Sequence, residues 1–540
     1  MSKRARAKKN DDSLEARIEI SLADAEAGWL TRHQNVQALM EHLEDERNAV
    51  GRAVGETASR QTETVRMAPL GELTAPKIDQ GGPVGTDDFA YVDISSVDNK
   101  LKRITEPKAL AAEAAPSRAK QRLKSGDVLV SMTRPNLNAV AIVPPELDGA
   151  VGSTGFYVLR ANEGTEPRWL YYAVQTQDFV SAMSELVQGA LYPAVRPKDI
   201  RAFEIPHRPL DQQKRIVAEI EKQFSRLDEA VANLKRVKTN LKRYKAAVLK
   251  AAVEGRLVET EAELVEAASR RLDQRQDAAT TYETGEQLLQ RILETRRSQW
   301  QGKGKYKEPA APDTTDLPEL PAGWTWCGFE QVSVADKHAL KAGPFGSALK
   351  KELYIESGYK IYGQEQVIRG DSKFGDYFID ETKFRELESC AVKPGDLLIS
   401  LVGTTGKVLV LPQNTMPGII NPRLLKLSLN HSHISPEYAA YMLQSGLASH
   451  YFKLQAHGGT MEILNLGIIK ALPVPLPPAA EQQRLVAEVD RRFSFLRQIE
   501  AQVDVNLQRR TVGLQQTILV HAFAGHLLWD GAVSVAHEMR

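Results

Sequence analysis

The feature that most constrains this chain is an internal repeat. Residues 213–227, QKRIVAEIEKQFSRL, return as QQRLVAEVDRRFSFL at 482–496, an offset of 269 (482 − 213); 8 of the 15 positions are identical, and 4 more are Ile/Leu, Ile/Val, Glu/Asp or Lys/Arg exchanges. The same offset aligns Gly126-Asp127-Val128-Leu129-Val130-Ser131 with Gly395-Asp396-Leu397-Leu398-Ile399-Ser400, Tyr172 with Tyr441, and Ile205-Pro206 with Val474-Pro475. A chain of 540 residues has room for three or four domains, and the repeat says that two of them share one plan.

Each copy divides into a globular module and a long helix. KSGDVLVSM and KPGDLLISL place a Gly-Asp turn before a β-branched run, the signal for a turn feeding a strand. YVDISSV, 91–97, alternates in the same way. Apolar spacing of three and four with Pro in the first turn predicts a helix over Pro167–Leu186 and another over Pro436–Leu454. The text that follows has a different period. Val217, Ile220, Phe224 and Leu227 alternate by three and four, and Val486, Val489, Phe493 and Leu496 repeat them, which is the spacing of a coiled-coil seam. Gly255 and Gly525 stand where a helix C′ cap needs a left-handed residue. About 44 residues at 1.5 Å each make a rod of roughly 65 Å.

Neither helix can bury its stripe on its own module along such a length, so the expectation is an antiparallel pair. The expected fold is α+β: two β-rich recognition modules separated by two long antiparallel coiled-coil helices, related by a pseudo-twofold axis. The expected domains are a charged helical extension at 1–64, a first module at 65–207, a first helix at 208–257, a charged and Pro-rich linker at 258–318, a second module at 319–475, a second helix at 476–530 and a tail at 531–540.

Composition narrows the chemistry. A formal net charge of +1 rules out a globally basic nucleic-acid protein but leaves room for local basic faces. Cys327 and Cys390 are the two cysteines, so no disulfide framework or cysteine metal cluster is expected. The start MSKRARAKKNDD lacks the apolar core of a signal peptide, and no run of about 18 apolar residues occurs. A cytoplasmic protein with no membrane partner is the expectation.

Apparent catalytic motifs fail on inspection. LVGTTGKVLVLP at 401–412 has glycines and Lys407, but a phosphate-binding loop needs Lys-Ser/Thr opening a helix, and here a strand follows. Asp376 with Glu381-Thr-Lys383 has the spacing of ordinary charged surface, and His431-Ser-His433 is a loop rather than a ligand pair. Asn421-Pro-Arg423 lacks the aromatic ending of an amino-methyltransferase site. Neither a catalytic nor a metal-binding residue is expected.

What remains are loops bearing basic and amide side chains. Thr133-Arg134-Pro135-Asn136-Leu137-Asn138 and Gly403-Thr404-Thr405-Gly406-Lys407 follow equivalent strands with different text. Two modules reading different base sequences need such a difference, since Arg suits guanine edges and Asn or Gln suits adenine. For any one of these residues taken singly, ordinary turn chemistry is the better explanation. The second module adds Gly343-Pro-Phe-Gly-Ser-Ala-Leu-Lys-Lys351, whose lysines suit phosphates. The candidate DNA-binding residues are Arg134, Asn136, Asn138, Arg196 and Lys198 in the first module, and Ser347, Lys350, Lys351, Thr404, Thr405, Lys407 and Arg423 in the second. Over 65–207, Lys and Arg number 16 against 17 Asp and Glu, so binding has to come from one basic face.

Two variable modules, each followed by QKRIVAEI-type text, together with YVDISSVD, GPFGSALKK, the Gly-Asp strands and LPELPAGWTW at 317–326, resemble the DNA specificity subunit of type I restriction-modification enzymes over about 65–530. The resemblance implies that each module reads one half of a split target in double-stranded DNA. It implies that the helices set the gap and dock two modification (methyltransferase) subunits and, through them, restriction subunits. No cofactor is expected in this chain, with S-adenosylmethionine and ATP/Mg bound by the partners. The extension at 1–64, helical from Leu14 to Arg60, departs from the family pattern. Two rival readings stay open: a coiled-coil scaffold without DNA contact, and the recognition region of a fused methylase or nuclease.

Overall fold

The computed structural model describes residues 65–85, 88–187, 193–272, 282–300, 305–401, 406–455, 464–511 and 513–524. The extension at 1–64, Thr404, Thr405, Gly525 and the tail at 531–540 lie outside these residues. Two compact units emerge, one of Met1–Arg236 with Val503–Arg540, the other of Val237–Gln502.

In the first unit, β1 (Met67–Pro69) leads into the short helix α1 (Leu70–Leu73). Next come β2 (Phe89–Val92), β3 (Lys108–Leu110), β4 (Ala119–Arg122), β5 (Val128–Ser131), β6 (Val140–Ile142), β7 (Val151–Ser153) and β8 (Phe156–Leu159). The strand after the Gly-Asp turn forms as expected. Gly126 takes φ +85°, and the Asp127 carboxylate accepts from the Lys124 amide at 2.8 Å and from Arg160 at 2.6 Å. All four residues of β5 are buried, with β8 and β6 antiparallel on its two sides. A second sheet has the order β3-β2-β7-β4, and in it β2 runs parallel to β7.

The single helix expected over 167–186 is two helices, α2 (Pro167–Ala173) and α3 (Gln177–Glu185). Thr176 makes the break: its hydroxyl donates to the Ala173 carbonyl at 2.8 Å and accepts from the Phe179 amide at 3.4 Å, closing one helix and capping the next. Then α4 (Pro197–Ala202) precedes β9 (Glu204–Pro206), which pairs antiparallel with β1 and so clasps the module's two ends. The helix α5 (Leu210–Val253) has 44 residues. It ends as expected at Gly255, φ +66°, with Arg256 N–H on the Ala251 carbonyl at 2.9 Å and Gly255 N–H on Ala252 at 3.5 Å, the two bonds of a Schellman cap.

The second unit repeats this plan. The helix α6 (Gly285–Ser298) is followed by β10 (Thr325–Gly328), α7 (Phe329–Val332), β11 (Leu340–Ala342), β12 (Tyr359–Tyr362), β13 (Leu397–Ser400), β14 (Val408–Val410), β15 (Gly418–Ile420) and β16 (Leu424–Leu427). β13 lies between β14 and β16, and β12 runs parallel to β15. α8 (Pro436–Leu443) and α9 (Gly446–Gln455) again divide the one helix expected, at Ser445, whose hydroxyl donates to Met442 at 2.6 Å and accepts from Ala448 at 3.4 Å. α10 (Leu466–Ala471), β17 (Pro473–Leu476) and α11 (Ala479–Thr511) complete it, with β17 on β10. The stretch 258–318, expected as linker, does more than connect. Leu288 and Ile292 of α6 are fully buried in one core with Phe329, Val332, Leu397, Ile399 and Leu476, because α6 is amphipathic.

The last helix, α12 (Gly513–Phe523), belongs to the first unit. There Leu519 and Ala522 share a core with Trp169, Leu170, Ile216, Val217 and Ile220, and the Phe523 and Trp169 rings stand 4.2 Å apart. In the second unit the end of α5 supplies Val248, Leu249 and Ala252 to a cluster with Trp324, Tyr438, Leu485 and Val489. Lys245 Nζ meets Glu500 there at 2.6 Å, and Arg492 reaches the Tyr244 hydroxyl at 3.3 Å.

Candidate nucleic-acid interface

In the first module the loop after β5 is held from both sides. The Ser131 amide donates to the Ala139 carbonyl at 2.9 Å, and the Arg134 amide to the Pro193 carbonyl at 2.9 Å. The second bond brings the chain leading to Arg196 and Lys198 beside the loop. Within it Pro135–Leu137 form one 3₁₀ turn, flanked by Arg134 at φ 49° and Asn138 at φ 45°. Arg134 and Asn136 are exposed, and Asn138 is half-buried. Arg196 and Lys198 are exposed at the start of α4, with Arg196 paired to Asp199 at 3.1 Å.

A second loop meets the first. Val97–Asp98 and Arg103–Ile104 form a two-stranded hairpin. Its Asp98 carboxylate accepts from the Lys100 and Leu101 amides at 2.8 and 2.9 Å, and these bonds hold it below the usual aspartate range. Lys102, at φ 54°, donates from Nζ to the Asn138 carbonyl, and its own carbonyl accepts from the Tyr171 hydroxyl at 2.8 Å. Lys102, Arg134 and Asn138 are the three non-glycine residues with positive φ among the described residues, and one hydrogen bond joins their two loops. A left-handed side-chain-bearing residue costs about 1–3 kcal/mol, and such residues gather at functional sites. Lys100, Leu101 and Arg103 are exposed at the hairpin tip, as is Leu137 in the facing loop. This hairpin was not among the residues expected from sequence; the signal available was the basic run Lys100-Leu-Lys-Arg103 straight after an Asp-Asn turn.

In the second module the loop 343–351 is pinned at its start, where the Gly343 amide donates to the Leu424 carbonyl at 2.9 Å. A Cβ at Gly343 would lie 1.9 Å from the Asn421 carbonyl oxygen, so only glycine permits this approach. Asn421 Oδ1 accepts from the Arg423 amide at 2.9 Å, and the Arg423 carbonyl accepts from Leu401 at 3.0 Å. The loop 343–351, Arg423 and the strand end that leads to 403–407 are therefore tied to one another. Ser347, Lys350, Lys351, Lys407 and Arg423 are all exposed. Phe345 is 90% exposed, and it too was not among the residues expected from sequence.

The helix residues take two environments. Val217, Ile220, Leu227, Val489 and Leu496 are buried; Phe224, Val486 and Phe493 are half-buried. Phe224 meets Tyr172 edge-on at 5.7 Å, and Phe493 meets Tyr441 in the same way at 5.8 Å. Both phenylalanines thus pack on an aromatic of their own module. No group of three or more His, Cys, Asp or Glu able to hold a metal occurs among the described residues, and no described helix is long and apolar enough to cross a membrane.

Two α+β modules on one topology, each feeding a long helix and each carrying a distinct basic loop, define a class of paired-module proteins. The family model of the type I restriction modification DNA specificity domain matches residues 346–507. The type I restriction enzyme StySPI specificity subunit of Salmonella potsdam is 22% identical over 460 residues, 83% of this chain and 80% of that protein. The EcoBI specificity subunit of Escherichia coli is 24% identical over 360 residues, 67% of this chain, and the match spans 65% of that subunit's length. A solved structure described as showing complex assembly and conformational transition of the type I R-M system shares the fold, with a TM-score of 0.57 and 24% identity over 86% of this chain and 100% of that one. The chain is similar to the type I restriction enzyme specificity subunits in sequence and shares their fold, as the sequence resemblance implied.

Proposed function

We propose that the chain is the DNA-reading subunit of a type I restriction-modification complex and performs no chemistry itself. The observation that carries this reading is a repeated frame with divergent loops. Asp127 and Asp396 accept the same backbone amide, from Lys124 and Lys393 at 2.8 Å each, at the foot of equivalent buried strands. The loops beyond those strands differ in text, Thr133-Arg-Pro-Asn-Leu-Asn138 against Gly403-Thr-Thr-Gly-Lys407. Duplicated scaffolds with unlike exposed Arg, Asn, Lys and Ser side chains suit two half-sites of unlike sequence.

In this proposal residues 65–207 and 319–475 each read one half-site, with S-adenosylmethionine and ATP/Mg held by partner subunits. The helices 208–257 and 476–530 form an antiparallel coiled coil about a pseudo-twofold axis, set the gap, and dock two modification subunits and, through them, restriction subunits. The order of contacts supports the antiparallel sense: as the chain rises from Lys245 to Leu249 on α5, its neighbours on α11 fall from Glu500 to Leu485. The duplicated helix text supports two equivalent docking surfaces.

The test is selection of bound duplexes from a random pool, with the full chain alone and with modification subunits. The reading predicts a bipartite motif with a fixed gap. No duplex binding, either alone or with modification subunits, would favour the scaffold reading instead.

A further inference from the structure

Resting on the reading just given, we propose that the first half-site is read by two loops acting as one unit, the hairpin 98–103 and the loop 133–138, and that Lys102 is the positioning residue that locks them together. Three separate unfavourable features converge on this residue. Its backbone is left-handed at φ 54°, a conformation that a long side chain adopts at a cost. Its ammonium is desolvated, and burial lowers its pKa to about 8. Its Nζ is spent on a backbone carbonyl, that of Asn138, rather than on a carboxylate.

Nothing in the core calls for this arrangement. The hairpin tip carries exposed Lys100, Leu101 and Arg103, and the facing loop carries exposed Arg134, Asn136 and Leu137. A glycine at 102 would relieve the backbone, and an apolar residue would remove the desolvation. What Lys102 alone supplies is a fixed distance between the two tips, with Asn138 held left-handed at φ 45° so that its carbonyl faces the amine. The Tyr171 hydroxyl, bonded to the Lys102 carbonyl at 2.8 Å, anchors the hairpin to α2. The two tips then offer four exposed polar or cationic side chains, together with Leu101 and Leu137, which suit thymine methyl groups. Lys102 acts through these residues and touches no base.

The experiment is duplex selection with the full chain and its modification subunits, comparing Lys102→Met, Lys102→Arg and Arg134→Ala with wild type, alongside thermal melting of each. Lys102→Met is expected to lower base preference about tenfold or more at the first half-site, the scale of one lost base contact. It should leave the second half-site unchanged and leave Tm unlowered, because it sheds a desolvated charge. Lys102→Arg should restore part of the preference. A Lys102→Met chain that keeps its full preference would overturn the proposal, as would one whose Tm falls while both half-sites weaken together, which is the mark of a merely structural lysine. Should Lys102→Met not fold, Lys102→Gln carries the same test. If Arg134→Ala leaves the first half-site unchanged, it is the reading function of the loop that fails. If Lys102→Met then relaxes that half-site on its own, Lys102 reads bases directly and the positioning role is wrong.

Discussion

Gln213 and Gln482, 269 residues apart, are buried to 0% and 1% exposure and close the same three hydrogen bonds. Gln213 accepts from the Glu166 amide at 2.8 Å and donates to the Arg208 and Gly164 carbonyls at 2.7 and 3.3 Å. Gln482 accepts from Ser435 at 3.0 Å and donates to Pro477 and His433 at 3.1 and 3.3 Å. Each glutamine fastens the root of a long helix to the turn that opens α2 or α8. Replacing either by Ala leaves one amide and two carbonyls without their partner, and each orphaned buried group costs about 1–3 kcal/mol. Gln→Glu should be no milder, since a carboxylate cannot donate to carbonyls. Urea denaturation of Gln213→Ala and Gln482→Ala checks this, with a clear loss of midpoint expected in both.

The first unit keeps its fold partly through the far end of the chain. Leu519, 2% exposed, lies in one core with Trp169 and Ile216. Leu519→Ala should cost about 2–5 kcal/mol and lower amide-exchange protection in α2 and α3. Val248, 1% exposed in the cluster with Tyr438 and Val489, should produce the converse: Val248→Ala should lower protection in α8 while α2 and α3 keep theirs. Exchange mapped by mass spectrometry on both variants reads this directly.

Lys102 gives the stability of the first unit a pH signature. Burial lowers its pKa from 10.5 to about 8, so between those values the unfolded chain holds a proton that the folded chain has released. Stability contributed by this group therefore rises with pH from about 8 to about 10.5 and is flat below that window. Denaturant midpoints of wild type relative to Lys102→Met should climb from about pH 7.5 to about pH 10. A constant difference across that range would contradict the burial of the ammonium.

Phe345 stands 90% exposed in a loop that also presents Ser347, Lys350 and Lys351. A phenyl ring left in water forgoes about 1.5–3 kcal/mol of burial, and under the proposed function this loop would offer it an apolar contact with bases. Phe345→Ala should leave thermal stability unchanged and weaken duplex binding. Lys350→Ala and Lys351→Ala should instead weaken binding alike for all sequences and flatten its salt dependence. Equilibrium titrations at several salt concentrations separate the two effects.

Much of the frame was legible in the sequence because it is written twice. The Gly-Asp strands, the Ile/Val-Pro clasps and the helix period all survive a shift of 269 residues, and Gly255 carries its own cap signal. The breaks at Thr176 and Ser445 escaped because their apolar spacing runs on through them, and only side-chain capping geometry ends the first helix. The burial of Leu288 and Ile292 escaped because these two apolar residues stand among charged and amide side chains, which read as linker. In the candidate site, Arg134 and Asn136 stood out by residue type. Lys102 did not, since a positive φ at a lysine has no sequence mark; the role proposed for it rests on a backbone shape and on one bond to a carbonyl 36 positions away.

The central claim is that two modules of one chain read two half-sites. The most direct measurement is the methylome of cells carrying this gene beside cells lacking it, with Arg134→Ala and Lys350→Ala/Lys351→Ala strains in parallel. The account predicts a bipartite modified site that disappears with the gene, relaxes only in its first half with Arg134→Ala, and loses occupancy without changing sequence in the lysine variants. A gene-dependent site that is contiguous, or an Arg134→Ala strain in which both halves change, would contradict it.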